Sequence, residues 1–221
     1  SSTTTGNATI YGAETLIADF SGLSEDITIG PDGVYVADGS LSISIPGNRY
    51  LPNGNRPTSI TVTGGAGNDT ISGSNGADTL NGGAGADTLE GDSGDYLNGG
   101  ADNDAIRGAA GATMIGGSGS DILILDLASM STAVFLRLAD QVSNSVQLGS
   151  NTSIQGFETF SLTTGSGNDT LDLRGFALQE YEYNRYNIQS SFFDLSSGND
   201  TVFVSSTTTG NATIYGAETL I

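Results

Sequence analysis

Large apolar residues recur along the middle of the chain at near-constant intervals. Ile71, Leu80, Leu89, Leu97, Ile106, Ile115 and Leu123 are spaced 9, 9, 8, 9, 9 and 8 residues apart. Each follows a glycine-rich stretch, the last glycine lying three to six residues before it, and is the middle of a short x-U-x triplet, where U is the apolar residue. Glycine clusters supply the positive φ and close backbone approach of tight loops. The triplet between two such loops reads as a minimal strand whose middle side chain points inward. Seven such strands stack their aliphatic residues into ladders. Outside this region the pattern stays β: LSISI at 41–45 and VFLRL at 134–138 alternate, and VYV at 34–36 and VFV at 202–204 are β-prone. The one helix expected lies at 176–184, FALQEYEYN. Segment 46–59, rich in Pro, Asn and Gly, reads as an exposed loop.

One apolar anchor per nine ordered residues is a thin core, because fixing each residue's backbone costs conformational entropy that one buried side chain does not offset. Composition suggests what supplies the rest. The 221 residues carry 25 acidic side chains against 6 arginines, a net charge of -19, with no Lys, His, Cys or Trp. Such a charge disfavours nucleic acid or anionic lipid as partners, and it repels itself unless cations neutralise it. Without Cys or His the abundant ligands are carboxylates, carbonyls and hydroxyls, which select hard cations, chiefly Ca²⁺. A disulfide framework is excluded. No apolar run is long enough to span a bilayer, and the first residues, SSTTTGNATIYG, are no signal peptide.

The chain repeats on two longer scales. Residues 1–17, SSTTTGNATIYGAETLI, recur letter for letter at 205–221, which sets a period of 204 residues. One module then spans 1–204, with a β-rich half at 1–63, a run of loops at 64–125 and a second β-rich half at 126–204; residues 205–221 begin the next copy. Tandem near-identical modules, or a copied first segment engineered to complete the last strands, both account for this identity. Head-to-tail repetition favours an elongated, filament-like molecule that associates with itself. A fainter duplication aligns 11–29 with 118–136, each followed downstream by a related loop, GAGNDTI at 65–71 and GSGNDTL at 165–171.

From Gly64 the run reads GGAGNDTIS, GSNGADTLN, GGAGADTLE, GDSGDYLN, GGADNDAIR, GAAGATMI, GGSGSDILI. It resembles the RTX nonapeptide G-G-x-G-x-D-x-U-x closely over 64–124, with isolated copies at 164–172 and 196–203. The resemblance implies an all-β fold, a parallel β-roll in which two nonapeptides make one coil and Ca²⁺ ions sit between loops n and n+2. Carried over, one side presents Asp69, Asp87, Asp104 and Asp121. The other presents Asp78 and Asp95, then Thr113 where the pattern wants Asp. Carbonyls of Gly65, Gly67, Gly83 and Gly85 are the implied further ligands. Three sites are expected on the first side and one on the second. The eight-residue turn leaves the placing of Asp92 and Asp95 open, and Asp102 replaces a loop glycine. Asp169 and Asp200 each follow Gly-Asn and are either further ligands or plain turn residues. Ala8 and Ala212 occupy the corresponding place without a carboxylate.

The resemblance also implies type I secretion of the parent and folding on meeting millimolar calcium outside the cell. Calcium modules of that setting bind with Kd of roughly 10⁻⁴–10⁻³ M. The expected role is a calcium-binding structural repeat of a cell-surface filament, sheath, surface layer or adhesin. The alternatives are an accessory roll of a secreted enzyme or toxin, or an ice- or glycan-binding module. No nucleophile–base pair can be assembled without His, Cys or Lys, so no enzyme is expected. Tyr181, Tyr183, Tyr186, Phe192 and Phe193 form either a patch for a surface glycan or neighbouring filament, or, more simply, an apolar plug on the solenoid.

Overall fold

The computed structural model describes residues 6–9, 15–30, 33–36, 41–44, 59–141, 145–148, 151–178, 190–205, 208 and 210–221. These build an all-β parallel roll. Between residues 59 and 126 the chain alternates between two sheets. Strands Ser59–Thr63, Thr79–Ala84, Tyr96–Ala101 and Thr113–Ser118 lie in a seven-stranded sheet. Thr70–Ser72, Thr88–Glu90, Ala105–Ala109 and Ile122–Asp126 lie opposite, in an eleven-stranded sheet. Register keeps like over like: Ile71 pairs with Leu89, Leu89 with Ile106, and Ile106 with Leu123. Val62, Leu80, Leu97 and Met114 form the facing file. All these side chains are essentially inaccessible to solvent, so the two files make the narrow core that the nine-residue spacing implies.

One member of the inward set differs. Met114, not Ile115, stacks on Leu97 and is fully buried, while Ile115 is only half-buried. Both eight-residue turns lack the residue before the Asp position. In GAAGATMI this shortening puts Ala112 where Asp is wanted and moves Thr113 one place onward. Thr113 accordingly pairs with Tyr96, and Ala112 is buried without offering an oxygen ligand from its side chain.

In the second half the eleven-stranded sheet continues through Thr159–Thr163, Ser191–Asp194 and Ala212–Tyr215. The facing layer changes. A hairpin of Val146–Gln147 and Ser153–Gln155 ends the seven-stranded sheet. A separate four-stranded sheet, Phe135–Arg137, Thr170–Asp172, Asp200–Phe203 and Ala217–Leu220, takes its place. The one helix among the described residues, Leu138–Gln141, leads into the hairpin where an alternating strand was expected to run on to residue 138. Its Gln141 is buried and holds the Phe157 backbone from both sides, donating to the carbonyl at 2.6 Å and accepting from the N–H at 2.8 Å.

The faint duplication has a counterpart in hydrogen bonds. Ile27 N–H donates to Asp69 Oδ1 at 2.8 Å, and Val134 N–H donates to Asp169 Oδ1 at 2.8 Å. Leu23 N–H bonds Phe20 O, as Met130 N–H bonds Leu127 O, both at 2.8 Å. Asp19 and Asp126 each cap the turn after their strand through the N–H two residues on. The same loop-and-coil unit therefore occurs twice.

Strands over 34–36 and 200–203 cover the β-prone triplets up to residue 203, and the strand over 41–44 lies where alternation places it. Residues 176–178 form no helix, and Ser59, last residue of the loop expected at 46–59, opens a strand instead; the rest of that loop, the rest of the expected helix and Tyr181, Tyr183 and Tyr186 lie outside the described residues. Phe193 is core, 6.0 Å from the ring of Phe160, and Phe192 meets Tyr215 on the outer face at 5.6 Å. No helix among the described residues is long and apolar enough to cross a membrane.

Candidate metal centre

Every loop that crosses from the seven-stranded to the eleven-stranded sheet ends on an acidic residue followed by a strand. The coil repeat stacks these residues into a file. Asp69 N–H donates to Asp87 Oδ1 at 2.7 Å, Asp87 N–H to Asp104 Oδ1 at 2.8 Å, and Asp104 N–H to Asp121 Oδ1 at 2.8 Å. Asp121 N–H donates to Glu158 Oε2 at 2.8 Å, which closes the file. Each carboxylate thus spends one oxygen on the backbone of the coil before it. In Asp69 the other oxygen, Oδ2, accepts from Gly65 N–H at 2.9 Å. In Asp87, Asp104 and Asp121 that atom, Oδ2, is buried with no hydrogen-bond partner. Leaving an acceptor buried and unpaired costs free energy, and for a charged oxygen more so.

Electrostatics makes the arrangement more costly still. Burial raises the Asp104 carboxyl to about 8, with Asp121, Asp87 and Asp102 adding repulsion. Burial likewise raises Asp87 to about 7, helped by Asp69, and Asp121 to about 7, helped by Glu158. Glu158 itself is raised by burial. Among the described residues the ion pairs join Arg137 and Arg174 to Asp140 and Asp172, and none involves a member of this file. Stacked, buried carboxylates without a basic partner call for a cation from outside.

The loop glycines shape the space around those oxygens. A Cβ on Gly99 would overlap Asp104 Oδ2 and lie 2.6 Å from Gly116 O; one on Gly82 would overlap Asp87 Oδ2 and lie 2.6 Å from Gly99 O. Gly64 and Gly116 repeat the pattern against Asp69 and Asp121. Gly83, Gly100 and Gly117 hold φ of 121°, 117° and 118°, and a Cβ on each would overlap the carbonyl oxygen of its counterpart one coil earlier, Gly65, Gly83 and Gly100. Gly85 approaches Gly67 O in the same way at φ 109°. Carboxylate and carbonyl oxygens therefore converge on cradles that only glycine leaves open. Among the described residues no three acidic side chains gather at one point, so a cation here must draw on carbonyls as well. An oxygen-only donor set of this kind fits Ca²⁺.

We expect Gly99→Ala to destabilise the folded chain by about 1–3 kcal/mol through overpacking. Gly22→Ala, with nothing within 4 Å of its Cβ, should stay within about 0.5 kcal/mol. Paired thermal melts check both.

The opposite side is built differently. Asp78 and Asp95 stack as expected, Asp78 N–H donating to Asp95 Oδ1 at 2.9 Å. Their second oxygens are already engaged: Asp78 Oδ2 accepts from Ser74 N–H, and Asp95 Oδ2 from Asp92 N–H at 2.6 Å. The file stops there, since Ala112 is next. Asp102 keeps the positive φ of the glycine it replaces, 75°, and accepts from Gly85 N–H at 3.2 Å.

Asp169 and Asp200 form a further file in the second half. Asp169 N–H donates to Asp200 Oδ1 at 2.7 Å, Asp200 N–H to Glu218 Oε2 at 2.7 Å, and both Oδ2 atoms are buried without a partner. Glu158 and Glu218 were not among the residues singled out from sequence. The signal was present, because GFETF and GAETL place Glu before Thr-U where other turns read Asp-Thr-U. Asn68 accepts from Ala86 N–H at 2.7 Å, a structural use of its amide inside the loop.

Residues 63–95 and 91–115 match the family model of the RTX calcium-binding nonapeptide repeat, in four copies. Neither the curated proteins nor the solved structures give a match. Repeats of this family bind calcium, in keeping with the oxygen-lined cradles. Residues 63–115 are thus RTX calcium-binding nonapeptide repeats, folded as a parallel β-roll.

Proposed function

We propose that the chain is a structural repeat of a secreted cell-surface filament, sheath, surface layer or adhesin, made rigid by Ca²⁺ held between its loops. The observation that carries this reading is the file of buried carboxylates, in which the inner oxygens of Asp87, Asp104 and Asp121 lack partners. Asp69, Asp87, Asp104 and Asp121, with loop carbonyls of Gly65, Gly67, Gly83 and Gly85, are the ligands we assign first. Asp169 and Asp200 follow as a second group. Asp78 and Asp95 are weaker candidates, because both oxygens of each are already bonded and, unlike Asp69, neither adjoins a carboxylate with an unpaired oxygen. Bound Ca²⁺ supplies the positive charge that the files lack.

The 204-residue period supports a head-to-tail array, and a chain without His, Cys or Lys supports a mechanical rather than a catalytic role. Acidic composition and calcium at millimolar levels fit an extracellular site reached by type I secretion. Electron microscopy of the native material tests the role. A calcium-dependent fibre or lattice is expected, and a discrete compact particle with hydrolase activity overturns it.

A further inference from the structure

The repeated segment pairs differently at its two occurrences. At 6–9 its backbone lies in the eleven-stranded sheet beside Leu41–Ser44, with Ala8 opposite Ile43 and Thr9 opposite Ser44. The copies of Ala8 and Thr9, Ala212 and Thr213, lie at the other end of that sheet in the strand Ala212–Tyr215, beside Ser191–Asp194, with Ala212 opposite Ser191 and Thr213 opposite Phe192. The next strand behaves alike. Thr15 and Leu16 pair with Ser59 and Ile60 in the seven-stranded sheet, whereas their copies Thr219 and Leu220 pair with Thr201 and Val202 in the four-stranded sheet. All four pairings are parallel. One copy meets a later coil and the other an earlier coil. In a parallel coil of constant hand these use opposite edges of a strand, so a single segment can make both sets of bonds at once.

From this we infer that, in a tandem chain, the seventeen-residue segment is a shared coil that closes one module and opens the next, leaving no linker between them. The inference rests on the reading of the chain as one period of an array, and its partner is a second copy of the module in the same polypeptide. The eleven-stranded sheet then runs on into its own counterpart. The four-stranded sheet of one module becomes the seven-stranded sheet of the next. The apolar files agree with this join. Val202 and Ile60, both buried, are the two register partners of the one leucine that appears as Leu220 and Leu16. Leu220 itself is 69% exposed where only the earlier coil is present, and the later coil covers it in the merged strand. The meander Ile27–Gly30, Gly33–Val36 and Leu41–Ser44 inserts two antiparallel strands after the shared one, which leaves the direction of the following coils unchanged.

The test is a two-module chain, residues 1–221 continued by 18–221, compared with the single chain in millimolar calcium. A seamless join couples neighbours, so the longer chain should melt in one transition above that of the single chain. It should also resist proteolysis over 205–217 of the junction. Thr213→Pro at the junction, which removes a strand donor, should return the longer chain to the melting temperature of the single one. Coincident melting of the two unsubstituted chains, cleavage at the junction, or indifference to the proline each overturns the shared coil. A calcium titration of the single chain reads the loop sites separately. Loss of calcium dependence there would sink the metal reading, whereas a melting result at the junction bears on the join alone.

Discussion

Chelation of calcium at pH 8 is expected to abolish the β-sheet circular-dichroism signal of this chain. At that pH the unfolded carboxyls are fully ionised, near their ordinary 3.8, while the folded file holds Asp87, Asp104 and Asp121 at about 7, 8 and 7. A carboxyl raised on folding binds more protons in the folded chain than in the unfolded one over that interval. The stability it contributes is complete below pH 3.8 and disappears as pH climbs through 7 and 8. Acidification toward pH 4 in chelator should therefore restore order, with protons doing part of the work of the cation. The calcium midpoint should move to higher concentration as pH falls, because proton and metal compete for the same oxygens. Spectra recorded against pH, with and without chelator, check all three trends. Identical melting at pH 8 in calcium and in chelator would defeat them.

Asp87→Ala should raise the calcium midpoint by about tenfold, equivalent to losing roughly 1.4 kcal/mol of binding. Asp78→Ala should do far less. Asp87 lies mid-file, bonded through Oδ1 to the Asp69 backbone and through its own N–H to Asp104, and its Oδ2 has no protein partner to lose. Its removal strips a charged ligand from the cavities on both sides. Asp78, by contrast, is tied to Ser74 by both backbone and hydroxyl, so its deletion unties a turn rather than a cation. In chelator the order should reverse. Asp87→Ala relieves repulsion within the file and should keep more β-sheet signal in chelator than the parent chain does, a crossing that a purely structural aspartate would not produce. Calcium titrations and circular-dichroism spectra of the two variants in chelator measure the contrast.

The roll and its first carboxylate file were legible because one residue type recurs at one interval and each turn can do only one thing. Asp69, Asp87, Asp104 and Asp121 stack as the nonapeptide requires. Legibility failed where a turn lost a residue. In GAAGATMI the count alone does not say which position is missing, so Ile115 and Thr113 took places that Met114 and Ala112 occupy. The strand register settles it, because backbone pairing with Tyr96 and Leu97 fixes the frame. Glu158 escaped notice for another reason. It arrives after an excursion through a helix turn and a hairpin, 37 residues from Asp121, and nothing local joins them. The bonded state of Asp78 and Asp95 was equally out of reach, since Ser74 N–H and Asp92 N–H become donors only through the path of each loop.

The unequal treatment of the two layers has a mechanical meaning. One layer is a single spine from Thr70 to Tyr215, while the layer facing it is cut once, between the hairpin ending at Gln155 and the sheet that starts at Phe135. A beam intact along one face and notched on the other flexes most readily about the notch, in one plane. Joined end to end, such units place one notch every 204 residues, so a fibre made of them would bend as a hinged strip and resist bending sideways.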